Sequence, residues 1–258
     1  YAIHPKGKRV LVSEGVHPEY LRVLDTYLRH HPLRVERIPL RGGVTDPADL
    51  RAALEGAPDD VAAVAFQSPN YLGAIEDGAA ISALVKGPVG PAASSGSGVP
   101  APLLAAVVDP ISLAILKPPG EYGADVAVGD GQQLGNYPAY GGPTFGFFAT
   151  RHAHVRKIPG RIVGETKDRD GKRGYVLTFQ TREQHIRREK ATSNICTNQA
   201  LCALAGLVYL SWLGPNGLRE LGETCMSLVE LAKEKLASPP AFEAPSFKEL
   251  AVRLGRSA

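Results

Sequence analysis

Cysteine is scarce in this sequence, with three among 258 residues. Cys196, Cys202 and Cys225 form an odd, sparse set that fits neither a disulfide framework nor a CxxC metal site. We therefore expect these side chains to be reduced thiols, as in a cytosolic protein.

The sequence also lacks a strong excess of charge, a membrane-length apolar run and a signal peptide. Its 29 basic and 26 acidic residues are mixed along the chain and give a net charge of +3, which does not favour nucleic-acid binding. The longest apolar run, residues 200–213, is interrupted by Gly206 and Ser211 and is shorter than the ~20 residues of a membrane span. No basic start followed by an apolar stretch marks a signal peptide. These features are typical of a soluble globular protein and predict no membrane partner.

Several common site patterns are missing as well. The sequence has no GxGxxG motif, no P-loop ending in GK[ST] and no GxSxG nucleophile elbow. Its histidine clusters, His30-His31 and His152-x-His154, have no carboxylate at ligand spacing nearby, so we expect no metal site.

What the sequence does contain is an alternation of apolar runs and helical patterns. Strands parallel to one another and buried on both faces read as continuous apolar runs, and helices connect them. The pattern predicts an α/β fold with a largely parallel sheet and helices on both faces. The predicted strands are 8–13, 33–40 (nearer an edge), 61–66, 104–108 and 124–128, and the helices between them are 17–28, 48–54 and 72–85.

The rest of the chain is less regular. Residues 86–102 are rich in Pro, Gly and Ser, which predicts a flexible loop or an insertion. Residues 129–146 are rich in glycine, and such a loop either cradles a phosphate with its N–H groups or lies on the surface. Residues 198–213 are apolar on nearly every face and predict a buried helix. An amphipathic helix over 218–236 follows and ends before Pro239-Pro240.

Polar side chains follow three of the predicted strands, where ligands bind in open α/β sheets. Asp109 and Asp130 each end a strand, and Asn70 follows a third. A carboxylate there can bind a protonated ring nitrogen or orient a catalytic group. The alternative, which spacing alone favours for both aspartates, is a turn residue that accepts hydrogen bonds from nearby N–H groups.

Four more residues are candidates for binding substrate or an anion near helix starts. His17 precedes a helix that opens with Pro18 and Glu19, so it either caps that helix or faces a site. Thr192, Ser193 and Asn194 precede the apolar helix and either cap it or bind an anion at its N-terminus. Capping is the simpler interpretation in each case.

Several long motifs resemble one family, in order and at similar spacing. The most distinctive reads Arg-Glu-Gln-His-Ile-Arg-Arg-Glu-Lys-Ala-Thr-Ser-Asn-Ile-Cys-Thr-Asn-Gln. The chain resembles the glycine decarboxylase P-protein of the glycine cleavage system, in its first, alpha-type subunit, over about residues 8–236. The matching stretches are 14–20, 108–113, 116–120, 123–132, 141–146 and 182–199.

This resemblance implies a fold-type I architecture of pyridoxal-phosphate (PLP) enzymes and a role in the oxidative decarboxylation of glycine. In that family PLP acts as the electron sink, and the aminomethyl group passes to the lipoyl H-protein. Where the enzyme is split, a second subunit carries the PLP lysine. The resemblance thus implies a cytoplasmic heterotetramer in which the partner subunit binds PLP.

The resemblance also implies roles for individual residues. Gln132 stands where the family's catalytic subunit has its Schiff-base lysine, and an amide cannot form the imine. Asp109 stands where fold-type I enzymes keep the aspartate that pairs with the pyridine nitrogen. Asp130, Gly141 and Gly142 are cofactor-binding candidates, either as relics or across an interface. No catalytic residue is expected in this chain.

We expect residues 1–238 to form a large domain that is incomplete at its N-terminus, with an irregular segment at 86–102. Residues 239–258 would begin a truncated C-terminal small domain, and the start at Tyr1 without Met suggests a piece of a longer protein. Two alternatives stay open: a catalytically inactive PLP-fold scaffold, and another fold-type I enzyme such as an aminotransferase or a lyase.

Overall fold

The computed structural model describes residues 2–56, 60–87, 101–179, 183–191 and 199–255. The strands are β1 (Arg9–Ser13), β2 (Arg34–Ile38), β3 (Leu40–Arg41), β4 (Val44–Thr45), β5 (Val61–Ser68), β6 (Leu103–Val108), β7 (Val126–Asp130), β8 (Gly146–Thr150), β9 (Ile162–Lys167) and β10 (Arg173–Thr178). The α-helices are α1 (Pro18–Leu28), α2 (Pro47–Gly56), α3 (Gly78–Lys86), α4 (Gln184–Arg187) and α5 (Ala200–Lys235).

A mostly parallel sheet organises the fold, with the strand order β2-β1-β5-β6-β7-β8. Adjacent strands from β2 to β7 are parallel, and β8 pairs antiparallel with β7. The predicted α/β architecture is confirmed. The strand predicted near an edge, β2, lies at the edge, and the continuous apolar run of β5 lies inside the sheet. β9 and β10 form a separate antiparallel hairpin.

Helices cover both faces of this sheet. Successive side chains of a strand point to opposite faces, and β1 shows the consequence. Leu11 packs in a cluster with Leu50 of α2 and Ile81 of α3, whereas Val12 packs with Leu21 of α1 on the other face. Because both faces are buried, polar groups gather where the strands end.

The helix predicted over 72–85 begins only at Gly78. Asn70 Oδ1 accepts hydrogen bonds from the N–H groups of Leu72 (3.0 Å) and Ala74 (3.1 Å), which fixes a turn that helical geometry would break. Asp77 then caps α3 by accepting from the N–H of Ala80 at 2.9 Å. Most of the irregular segment predicted at 86–102 lies outside the described residues.

The last long helix, α5, has a kink at Gly214, which adopts φ 61° and ψ −175°. Pro215 follows and starts the second half, where its missing N–H and fixed φ are tolerated. In this half Leu218 and Leu221 pack beside Ile111 and Phe247. The predicted amphipathic helix is therefore present, and it ends before Pro239 as expected.

The first half of α5 corrects the prediction of a buried helix over 198–213. Leu201 is 79% exposed and Trp212 is 84% exposed, and Leu204, Leu207 and Val208 are each more than half exposed. Apolar composition predicts that a helix is covered, but it does not distinguish cover by the same chain from cover by another molecule. By length and composition alone, α5 could cross a membrane, and little of its most apolar stretch is buried. A single helix of this kind is weak evidence for a membrane span, because core helices of soluble proteins have the same length and composition.

The chain returns to the sheet after α5. Ser246 forms an isolated bridge with Ala74, and Pro240 forms one with Val252. The ring of Phe247 is 1% exposed and packs beside Ile111. This segment therefore contacts the loop before α3 and the core beside Ile111, and the division into domains at 238 and 239 stays a prediction.

Candidate functional site

A polar cleft of about 210 Å³ lies at the carboxyl ends of β5, β6 and β7, beside the start of α1. The sequence-predicted residues that line it are His17, Asn70, Asp109 and Asp130. The topology thus brings together four candidates that are far apart in the chain, because parallel strands all end at one edge.

Asp109 has two roles in this cleft. Its Oδ1 accepts hydrogen bonds from the N–H groups of Ile111 (2.8 Å) and Ser112 (3.2 Å), the turn geometry that the spacing favoured. Its Oδ2 lies 3.1 Å from Nζ of Lys248, with which it forms an ion pair. Both carboxylate oxygens therefore have partners within the chain.

Asp130 fixes the start of the glycine-rich loop. Its Oδ1 accepts hydrogen bonds from the N–H of Gln132 and from Thr144 Oγ1, each at 2.7 Å. Burial, and then the charge of Asp130, raise the pKa of Tyr20 on the same cleft wall. At neutral pH this tyrosine is a neutral hydrogen-bonding group rather than a base.

His17 caps α1 and also lines the cleft, and its role in binding a substrate or an anion stays a prediction. Its Nδ1 accepts from the N–H of Glu19 at 3.1 Å, which caps α1. Its ring also contacts Tyr20 and Tyr71, with centroids at 5.3 and 4.9 Å. A neutral imidazole that accepts at Nδ1 carries its proton on Nε2, so the ring can offer one donor.

Asn70 is a structural residue of the cleft wall. It is buried, and its Nδ2 donates to Gly43 O (2.8 Å) and to Glu76 Oε1 (2.9 Å). Its Oδ1 accepts the two N–H groups of the turn before α3. Both polar atoms of the Asn70 side chain therefore already have hydrogen-bond partners within the chain.

Glu76 is a buried carboxyl group in the loop behind Asn70. Burial raises its pKa, and hydrogen bonds from Asn70 and Thr45 oppose that rise. The N–H of Thr45 donates to Oε1 at 3.1 Å and to Oε2 at 2.9 Å. Neutral donors, rather than a cation, hold this carboxylate.

The remaining candidates do not join the cleft in the same way. The Nε2 of Gln132 donates to Asn136 O at 2.7 Å, within the glycine-rich loop. Gly141 and Gly142 have positive φ (102° and 150°) and lie on the loop surface, away from the cleft lining. Thr192, Ser193 and Asn194 lie outside the described residues, as does Cys196.

Sequence reasoning missed Lys248. It follows the buried Phe247 and reaches Asp109 across 139 positions, so no local spacing predicts the contact. Its Nζ also donates to Gln133 Oε1. Within the part of the chain that the structure describes, no group of three or more His, Cys, Asp or Glu residues is placed to hold a metal ion.

A model of the glycine cleavage system P-protein family matches residues 2–256. A protein of Moorella thermoacetica named probable glycine dehydrogenase (decarboxylating) subunit 1 is 48% identical over 252 residues, which cover 96% of this chain and 53% of that protein. The chain belongs to the glycine cleavage system P-protein family. It spans about half the length of that relative.

Structural comparison agrees with this family. The crystal structure of a glycine decarboxylase (P-protein) in inhibitor-bound form matches with a TM-score of 0.83 and 46% identity, over 97% of this chain and 54% of that one. An aspartate aminotransferase of Thermus thermophilus matches with a TM-score of 0.57 and 18% identity, over 93% and 60% of the two chains, which shows the fold alone. The predicted fold-type I PLP-enzyme architecture of this P-protein chain is confirmed.

The cleft of this P-protein chain does not fit a covalently bound PLP. Of the described residues that line it, only Lys248 has a side-chain amine, and that amine is paired with Asp109. Gln132 offers an amide, whose delocalised nitrogen is not nucleophilic. Asp109, which the family resemblance would pair with a ring nitrogen, is already paired with Lys248, so among the described residues the cleft offers PLP neither an unpaired amine nor an unpaired Asp109 carboxylate.

Proposed function

We propose that this chain is part of the first subunit of glycine dehydrogenase (decarboxylating) and works only with a second subunit that binds PLP through its own lysine. The assembled enzyme would decarboxylate glycine and transfer the aminomethyl group to the lipoyl H-protein in the cytoplasm. The observation that carries the proposal is the 48% identity to a relative named subunit 1 over nearly the whole chain.

The cleft supports this division of labour. PLP supplies an electron sink where it is bound, but here the candidate carboxylates hold turns and an ion pair. We propose that Asp109 and Asp130 keep the shape of the former site, and that His17 and Tyr20 form its wall. Thr192, Ser193 and Asn194, with Gly141 and Gly142, remain proposed contacts to an anion or to the partner's cofactor.

The exposed half of α5 supports the proposed partner. Leu201, Leu204, Val208 and Trp212 line an apolar groove together with Gly135 of the glycine-rich loop. Apolar surface of this kind is rare on monomers and marks protein interfaces. We assign this groove to the second subunit, which the name of the relative implies, in a heterotetramer built from two of each chain.

Combining the two subunits tests the proposed role in glycine decarboxylation. The first subunit that contains this chain is combined with the lysine-bearing subunit, and glycine–bicarbonate exchange is measured. Exchange should require both proteins. If the lysine-bearing subunit is as active alone, the chain is a scaffold rather than part of the catalytic unit.

A second test separates the proposal from an independent fold-type I enzyme. The chain alone should show no Schiff-base absorbance with PLP and no lysine adduct after borohydride reduction. A reducible adduct would favour an aminotransferase or lyase instead.

A further inference from the structure

The segment around Lys248 lies across the carboxyl edge of the sheet. The N–H of Ile75 donates to Pro245 O at 2.8 Å, and the N–H of Phe247 donates to Gly73 O at 3.0 Å. The ring of Phe247 is buried in the core, and Lys248 adopts φ 65°, a conformation that residues other than glycine rarely take. The main chain and a buried ring therefore place this lysine in the cleft, independently of its charge.

The lysine reaches the one carboxylate oxygen that backbone groups leave open. Asp109 Oδ1 accepts two N–H groups of the following turn, whereas Oδ2 faces Nζ of Lys248 at 3.1 Å. The two side chains are 18% and 35% exposed, so the pair is partly shielded from water. Gln133 Oε1 accepts from the same ammonium and holds it from a second side.

An ammonium and a protonated ring nitrogen would compete for this oxygen. Each donates a charge-assisted N–H···O⁻ hydrogen bond, and two cations within a few ångströms repel each other in a partly buried site. A cleft that contains its own cation is therefore closed to a cofactor whose ring nitrogen needs the same partner.

We propose that Lys248 is the built-in counter-ion of Asp109, that it occupies the place of a cofactor ring nitrogen, and that it excludes PLP from the cleft of this chain. In this role Lys248 is a positioning residue and does not form an imine. Lys248 would keep PLP out of this cleft whether or not the assembled enzyme is active.

The test is a PLP titration of the purified first subunit that contains this chain, without the second subunit, followed by absorbance and fluorescence. Lys248→Met removes the charge and keeps the length of the side chain, and Lys248→Gln removes the charge but retains hydrogen bonding to Asp109. Lys248→Arg keeps the cation and is the matched control. Circular dichroism verifies that each variant is folded.

Lys248→Met should bind PLP at least about tenfold more tightly than the wild type, because Asp109 Oδ2 becomes available for a charge-assisted hydrogen bond. Lys248→Gln should gain less, because its amide still donates to that oxygen. Lys248→Arg should bind no better than the wild type, and adding Asp109→Asn to Lys248→Met should remove the gain. A borohydride-reducible PLP adduct on Lys248 in the wild type would overturn the proposal. So would folded neutral variants with unchanged PLP affinity.

Discussion

The cleft and the first half of α5 differ in how far their side chains find partners within the chain. In the cleft, Asp109, Asp130 and Asn70 use their hydrogen-bonding atoms on turns, loops and Lys248. On α5, Leu201 and Trp212 expose most of their apolar surface. The polar side chains of the cleft are thus paired within the chain, whereas the apolar side chains at the start of α5 have no cover among the described residues, which is the pattern expected of the proposed non-catalytic subunit.

The largest effect should come from breaking the packing beneath the cleft. Phe247→Ala removes a fully buried ring that packs beside Ile111 and Leu134, and should lower the free energy of unfolding by about 3–5 kcal/mol. Chemical denaturation measures this loss. The exposed Tyr137→Ala is the control and should change stability by no more than about 0.5 kcal/mol. Equal effects would mean that the segment after α5 is not part of the folded core.

Charged substitutions in the exposed half of α5 should leave the fold intact and weaken binding of the second subunit. Leu204→Asp with Val208→Asp should weaken association with the second subunit at least about a hundredfold, as expected for charges placed in an apolar interface. Sedimentation or titration calorimetry measures the association. Leu228→Asp, an exposed leucine beyond the kink, is the control and should associate normally. Normal association of the double variant would place the interface elsewhere.

Restoring the missing lysine should not reopen the cleft. Gln132→Lys loses the hydrogen bond to Asn136 O, which costs about 1 kcal/mol, and puts an amine at the position implied by the family resemblance. Because Lys248 still pairs with Asp109, no borohydride-reducible PLP adduct should form at position 132. Mass spectrometry after reduction gives the answer, and an adduct there would show that the site is open.

The smallest effect concerns the buried carboxyl group behind the cleft. Because the pKa of Glu76 is raised above its ordinary value of 4.5, the folded state holds its proton to higher pH than the unfolded state. Stability therefore falls as pH rises from about 4.5 through the folded-state pKa. Glu76→Gln should flatten the free energy of unfolding over that window, with the exposed Glu121→Gln as control. A slope left unchanged by Glu76→Gln would exclude this carboxyl as its source.

The sequence predicted the sheet well because its signals are local. Each apolar run, in β1, β5 and β6, is contained within a few consecutive residues. The residue that caps α1, His17, likewise lies directly before the helix. The candidate residues at the strand ends followed from the rule that parallel strands finish at one edge, and Asn70, Asp109 and Asp130 do meet there. His17, predicted from its place before α1, lines the same cleft.

Long-range contacts account for what the sequence did not predict. Lys248 pairs with Asp109 from 139 residues away, and its position depends on a buried ring and a bridge to Ala74. The exposure of residues 200–213 was unpredictable for a similar reason, since an apolar helix has the same composition whether its cover is its own chain or a partner. The late start of α3 has a local cause instead, because the N–H groups of Leu72 and Ala74 donate to Asn70 Oδ1 and hold a turn there.

Peptide mapping of the assembled enzyme decides which subunit binds PLP. The first subunit that contains this chain is assembled with the lysine-bearing subunit and PLP, reduced with borohydride, and digested for peptide mapping. We expect every PLP adduct to lie on the second subunit and Lys248 to remain unmodified. A PLP adduct on any lysine of this chain would contradict this expectation.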